Sequence, residues 1–231
     1  MDPLLAVVWY VVLLFSLTFH EAAHGLAARR GGDPTAYLLG QVSLDPRPHI
    51  RREPFGTVFV PLFSFAISGW MIGWASTPYD PRWADRYPRR AAWMSLAGPA
   101  ANLLLVVAAG VLIRVLILAD VLEAPQTIHF TQVAVSTAGG VWSTLATFLS
   151  VLFTLNLLLT VFNLIPVPPL DGAGALGLLL SEESSRRMRL LLAQPQVSLL
   201  GILAAWYLIG EVFWPVHLLA IRLLYPELTY G

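Results

Sequence analysis

The sequence predicts an all-α polytopic membrane protein, with four to six transmembrane helices and a small β-hairpin or re-entrant element after the first helix. Composition is the first reason. Hydrophobic residues make up 57% of the 231-residue chain and charged residues 12%, against about 25% charge in an ordinary soluble domain. Mean hydropathy is +0.69. The second reason is patterning. Long apolar runs alternate with polar, Pro-bearing segments, and at ~1.5 Å rise per residue the runs can cross a bilayer core of about 30 Å. No repeat or low-complexity tract divides the chain and no soluble domain fits between the runs, so residues 1–231 read as one membrane-embedded domain.

The first run is Leu4 to Ala28. It lacks the basic leader of a signal peptide and is interrupted by His20, Glu21 and His24, so it reads as a span. Residues 29–54 are polar and rich in Gly, Pro and Arg. Within them Tyr37 to Leu44, centred on Gly40, suits a short hairpin or strand. A second apolar stretch, Phe55 to Ala75, is broken by Pro61, Gly69 and Gly73. Residues 77–90 read as a loop, 91–119 as a span containing Gly98-Pro99, and 120–137 as a mixed, Arg-free connection. The next span, 139–164, runs into a Pro-rich segment from Pro166 to Gly174. A polar loop, 181–196, precedes the last span, 197–224.

Arginine placement sets the topology. Loop 29–54 holds five Arg, loop 77–90 four and loop 181–196 three, and Lys is absent. By the positive-inside rule all three are cytoplasmic. Loops 29–54 and 77–90 flank one apolar stretch, so a single crossing there would put them on opposite sides. A re-entrant helix with an extended return keeps them together, and broken backbone at membrane depth is tolerated where protein buries it or a cavity hydrates it. Four full spans and an external N-terminus follow. The expected location is a prokaryotic cell (inner) membrane.

Formal net charge is zero and no long basic run exists, which argues against nucleic acid as a partner. With no Cys, neither disulfides nor thiolate metal sites are possible.

The chemistry-bearing pattern is His20-Glu21-Ala22-Ala23-His24, an H-E-x-x-H. On a helix the two His share one face and can bind one zinc, while the Glu can act as general base towards a water beside the metal. An ionisable group in the middle of an apolar span costs roughly 2.5–3.5 kcal/mol on insertion scales, so three in one turn point to a use. A catalytic zinc usually has three protein ligands and one open position. The best distant candidate for the third is Asp171, in a turn stiffened by Pro166, Pro168 and Pro169. The competing reading of Asp171 is the N-cap of a short helix beginning near Gly172.

With these residues the chain resembles the site-2 proteases, intramembrane zinc metalloproteases. His20-Glu21-x-x-His24 matches their first motif. Asn163-x-x-Pro166 followed by Asp171-Gly172 matches their second, and Ala97-Gly98-Pro99-Ala-Ala-Asn102 is a weaker third match. The resemblance implies that Asp171 is the third ligand and that one Zn2+ is held per chain by His20, His24 and Asp171. It also implies hydrolysis of peptide bonds in transmembrane protein substrates within or near the bilayer. No room is left for a PDZ or cystathionine-type domain, so a compact core form is expected.

In the mechanism this implies, Glu21 is the general base and the Asn163 amide, placed near the metal, can donate to the oxyanion. Asn163 could instead fix the Pro-rich loop. Asn102 is expected to orient a ligand or pack between helices, and Asn156 to join helices. Glu211, unusual in the last span, could line a polar cavity, pair with an Arg or sit protonated in lipid. His217, Arg114 and Arg222 are expected to snorkel, and His49 and His129 to be loop residues. An unwound substrate could add as a strand to Tyr37–Leu44 or to the return limb Trp70–Pro78. His20 lies ~24 Å along a span starting at Leu4, which puts the site towards the cytoplasmic side. A zinc-binding scaffold without turnover, a metal transporter, and a zincin with a Glu as third ligand are the alternatives.

Overall fold

The computed structural model describes residues 2–192, 194–228 and 230. Among them four helices are long and apolar enough to cross a membrane: α1 (Pro3–Arg30), α6 (Pro88–Leu118), α7 (Val141–Leu164) and α10 (Pro195–Leu224). Between them lie α2 (Thr35–Leu38), α3 (Pro46–Arg52), α4 (Val60–Ser68), α5 (Pro81–Arg86), α8 (Asp171–Ala175) and α9 (Glu182–Leu192). The expected spans are found within a few residues of their predicted ends.

Local chemistry explains those ends. The Asp2 carboxylate accepts from the Leu4 amide at 2.9 Å, and Pro3 fills the first turn of α1, where its missing N–H costs nothing. Arg29 and Arg30 close the same helix, favourably for its dipole. α6 and α10 likewise carry Pro in their first turns.

α6 packs along both α1 and α7, and α10 rests on α7. The core is a dry seam between these helices, with Trp9, Val12, Leu13, Ala109, Ile113, Val151 and Phe153 all buried. α7 is the central helix, 67% of its most apolar window being buried against 17% for α10. α10 is therefore a peripheral span that leaves most of its surface outward.

The stretch after α3 forms a short helix with a return limb, the hairpin shape expected of a re-entrant element. A π-helical turn, Phe55–Phe59, leads into α4, which ends at Gly69 with φ +74°, a conformation costly for any side chain. From Trp70 to Asp80 the chain returns without regular structure. The Trp74 amide donates to the Gly56 carbonyl at 3.0 Å, so the limb comes back alongside its own start. Met71 joins the core, and the limb passes so close to α1 that a Cβ on Gly73 would sit 3.2 Å from Leu13.

Three local expectations are corrected. Tyr37–Leu44 is not a strand or hairpin. Asp33 accepts from the Thr35 amide (2.9 Å) and hydroxyl, which starts the single helical turn α2, and Gly40 then turns the chain at φ +71°. The polar loop 181–196 contains α9, whose first-turn Glu182 and Glu183 and last-turn Arg189 suit its dipole. The small antiparallel sheet present, Leu122–Glu123 with Val135–Ser136, lies in the Arg-free connection instead.

Candidate metal centre

His20, Glu21 and His24 are all buried on α1, and each offers an atom within 4.8 Å of the others. One turn apart, the two imidazoles meet edge to face with centroids 4.6 Å apart and Nε2 atoms 2.9 Å apart. Asp171 is brought to them by the Pro-rich turn after α7. It is the first residue of α8, and Leu170, not Asp171, occupies the cap position. Its Oδ2 lies 3.1 Å from His20 Nε2 and 3.3 Å from His24 Nε2. Ligand atoms about 2.0–2.1 Å from a tetrahedral zinc sit about 3.3 Å from one another, so this triangle closes on such an ion with little movement. α6 comes down over the same face at Gly98, where any Cβ would collide with both imidazoles.

The protonation pattern can be read from the hydrogen bonds. The Leu152 carbonyl, which can only accept, takes a bond from Asn156 Nδ2 at 2.8 Å. That fixes the amide, so Asn156 Oδ1 faces Asn102 and accepts from its Nδ2 at 2.7 Å. Asn102 Oδ1 must then face His20 Nδ1, which has to carry the proton. His24 Nδ1 donates to the Met94 carbonyl at 2.7 Å. Both Nε2 atoms therefore present lone pairs, to each other and to a carboxylate. Three converging acceptors need a positive charge among them. A proton satisfies one pair, whereas a metal ion satisfies all three at once. Donation from Nδ1 to a neighbouring oxygen is also the usual way a ligating His is held and tuned.

Asp171 lies outside the spanning helices. Its side chain is 19% exposed and faces both imidazoles. Glu21 differs: the Thr77 hydroxyl donates to its Oε2 at 2.7 Å and lies 2.8 Å from its main-chain carbonyl. Its carboxylate is turned to the return limb of the hairpin, which leaves Asp171 to complete the triangle.

The site opens into a cavity of about 410 Å³. Ala75 to Thr77 and Tyr79 form one wall, Asn163 and Pro168 to Asp171 another, and Met188, Arg189 and Leu192 of α9 a third. α9 is held to α5 by Arg189 on Asp85 Oδ1 (2.6 Å) and Arg186 on its carbonyl (2.9 Å). Asn163 lines the cavity and spends one amide hydrogen on the Leu159 carbonyl at 3.0 Å. Asn102 orients a histidine and Asn156 joins three helices, also reaching Ser16 Oγ at 2.9 Å. His217 does not snorkel: it is buried and stacks on Phe213, centroids 5.3 Å apart. Thr77 and the Met94 carbonyl were not singled out by the sequence. Nothing local marks a main-chain oxygen, and Thr77 is one hydroxyl in a polar stretch.

A family model described as Peptidase family M50 matches residues 8–205. The chain is 34% identical over 163 residues to a Bacillus subtilis protein named "Putative zinc metalloprotease YwhC", covering 70% of this chain and 64% of that one. It is 32% identical over 206 residues to a Mycobacterium tuberculosis protein named "Putative zinc metalloprotease Rip2", covering 87% of this chain and 70% of that one. No solved structure matches the chain.

Proposed function

Because the chain belongs to peptidase family M50, we propose that it is an intramembrane zinc metalloendopeptidase acting on membrane-anchored proteins. The observation that carries this reading is the meeting of three acceptor atoms, the buried His20 Nε2 and His24 Nε2 and the part-buried Asp171 Oδ2, beside a carboxylate that is not needed to hold the ion. In this reading those three residues hold one zinc per chain. When bound, zinc would supply Lewis acidity to the scissile carbonyl and to the attacking water. Glu21 takes the proton of that water and delivers it to the leaving nitrogen. The Asn163 amide, with a second hydrogen beyond the one given to Leu159, donates to the oxyanion.

A transmembrane helix hides its own peptide bonds, so a substrate segment has to unwind before attack. The return limb Trp70–Tyr79 is extended, half exposed at Ile72 and Trp74, and walls the cavity at Ala75 to Thr77. It suits main-chain pairing with such a segment. The three segments that carry twelve of the fourteen Arg (five, four and three) surround this end of the molecule. Arg90 and Trp83 bond the Gly31 carbonyl, and Arg189 bonds Asp85. By the positive-inside rule this supports a site that faces the cytoplasm, and the bacterial sources of the similar proteins support a prokaryotic cell membrane.

The decisive experiment reconstitutes the chain with single-span substrates and measures zinc content and cleavage together. Wild type should carry about one zinc and cleave, Asp171→Ala should lose zinc, and Glu21→Gln should keep zinc and lose nearly all cleavage. Glu21→Gln retaining activity within a fewfold would remove the base. Zinc without cleavage in wild type would leave a scaffold.

A further inference from the structure

α9 lines two concavities. Met188, Arg189 and Leu192 face the cavity of the metal centre, whereas Arg186 and Leu190 face a second cleft, of about 510 Å³, between α9 and α5. Arg82 and Arg86 of α5 complete that cleft, with Asp85 between them. Its charges do not balance. The Asp85 carboxylate is taken by Arg189 at 2.6 Å, and its carbonyl accepts from Arg186 Nε at 2.9 Å, which leaves the terminal nitrogens of Arg186 over. Among the described residues no carboxylate pairs with Arg82, Arg86 or Arg186. Three guanidiniums around one concavity repel one another unless an anion sits among them. Membrane topology asks for arginines in these segments, but not for their convergence from elements 101 positions apart in sequence. The cleft also stands at headgroup level, since α5 leads directly into the spanning helix α6 and α9 into α10. On the last turn of α9, Leu190 and Leu191 are exposed beside the arginines.

We propose that this cleft binds an anionic phospholipid of the surrounding membrane, with its phosphate among Arg82, Arg86 and Arg186 and an acyl chain along Leu190 and Leu191. Guanidinium forks match phosphate oxygens in pairs, and basic pockets beside spanning helices gather acidic headgroups. A soluble phosphate would answer the arginines and leave the two leucines in water. A zwitterionic lipid would bring its own cation against the guanidiniums. The bound lipid also acts on the cavity behind it. α5 is fixed to the end of α1, with Trp83 buried and its Nε1 donating to the Gly31 carbonyl at 2.9 Å. Among the described residues the polar ties of α9 to α5 both run through Asp85. A phosphate that bridges Arg186 to Arg82 and Arg86 adds a second tie. It steadies the wall that Met188, Arg189 and Leu192 present to the metal centre.

The test reconstitutes the whole chain in nanodiscs of phosphatidylcholine with a minor fraction of phosphatidylglycerol, and measures the lipid that stays with it after mild detergent extraction. Wild type should retain phosphatidylglycerol in preference to phosphatidylcholine. Arg86→Gln combined with Arg186→Gln should bind it roughly tenfold or more weakly. Arg47→Gln combined with Arg51→Gln removes the same charge from α3, outside the cleft, and should bind as wild type does. Leu190→Glu leaves every arginine in place and puts a carboxylate in the cleft, and it too should lose the lipid. Millimolar inorganic phosphate should not displace phosphatidylglycerol from wild type. Hydrogen exchange across α9 should slow when phosphatidylglycerol is added to wild type, and should not respond in the Arg86→Gln, Arg186→Gln pair. The elution profile of each variant checks its folding, and no readout depends on zinc or on cleavage. Equal retention of both lipids, wild-type binding by the cleft pair or by Leu190→Glu, or an equal loss in the α3 pair would each overturn the proposal. So would displacement by phosphate, or exchange in wild-type α9 that ignores the lipid.

Discussion

The Thr77 hydroxyl lies 2.7 Å from Glu21 Oε2 and 2.8 Å from the Glu21 main-chain oxygen. One side chain thus ties the return limb of the hairpin to the carboxylate beside the metal centre. The limb on which a substrate strand would lie and the group that would move its proton share a single fixed point. Thr77→Val keeps the shape and removes the hydroxyl. Turnover should fall about tenfold or more with KM little changed and zinc content normal, and Thr77→Ser should recover most of it. A Thr77→Val enzyme with wild-type kcat would show that Glu21 is positioned by α1 alone.

The asparagine relay acts on His20 from a distance. Asn156 touches neither imidazole nor Asp171, yet its amide orients Asn102, which orients His20. Asn156→Leu should weaken zinc affinity about 10- to 100-fold, the usual cost of losing a partner behind a ligand. Titration with a competing chelator measures this. Affinity equal to wild type would mean that His20 finds its tautomer without the relay.

Proline on the return limb separates docking from packing. Ile72→Pro removes a main-chain donor at a half-exposed position that bonds Ser64 Oγ at 3.0 Å, so Ser64→Ala, which loses that bond and keeps the donor, is the packing control. Cleavage per bound zinc should drop strongly, and Ile72→Ala should do less. If Ile72→Pro lowers yield while cleavage per bound zinc stays level, the limb has only a packing role.

Asp33 gives a pH signature outside the membrane. Burial raises its carboxyl, but hydrogen bonds from the Thr35 hydroxyl and from the Asp80 and Thr35 amides outweigh this and hold it below the usual range. With the folded value below the unfolded one of about 3.9, its stabilisation is fully present above about pH 4–5. It is lost as pH falls through the folded value. Asp33→Ala should cost about 1–3 kcal/mol at neutral pH. The gap to wild type in thermal unfolding should close as the medium is acidified. A gap independent of pH would assign the stabilisation to packing.

What could be read from the chain and what could not divide along physical lines. His20, Glu21 and His24 are legible because helical spacing puts them on one turn, and the spans because hydropathy sums over many residues. Asp171 was a candidate from its Pro-stiffened turn, with helix capping as the rival reading, and resemblance to a family decided between them, since no local rule links residues 151 positions apart. Tyr37–Leu44 misled because its Leu and Val suit a strand, while its conformation is decided by Asp33 next to it. α9 was hidden by polarity, although Met188 and Leu192 recur at helical spacing and both face the cavity. Asn102 and Asn156 were visible as polar residues in apolar spans. The direction of the relay was not, because it is set by the main-chain oxygen of Leu152.

The long separation between His20 and Asp171 also has a meaning in time. At ~5–20 residues per second, roughly 8–30 s pass between the synthesis of one and the other. α1 is made first, with its imidazoles and carboxylate still lacking partners. Asn102 arrives next, then Leu152 and Asn156, and only afterwards the Pro-rich turn with Asp171. The groups that set the tautomer of His20 therefore precede the third acceptor along the chain.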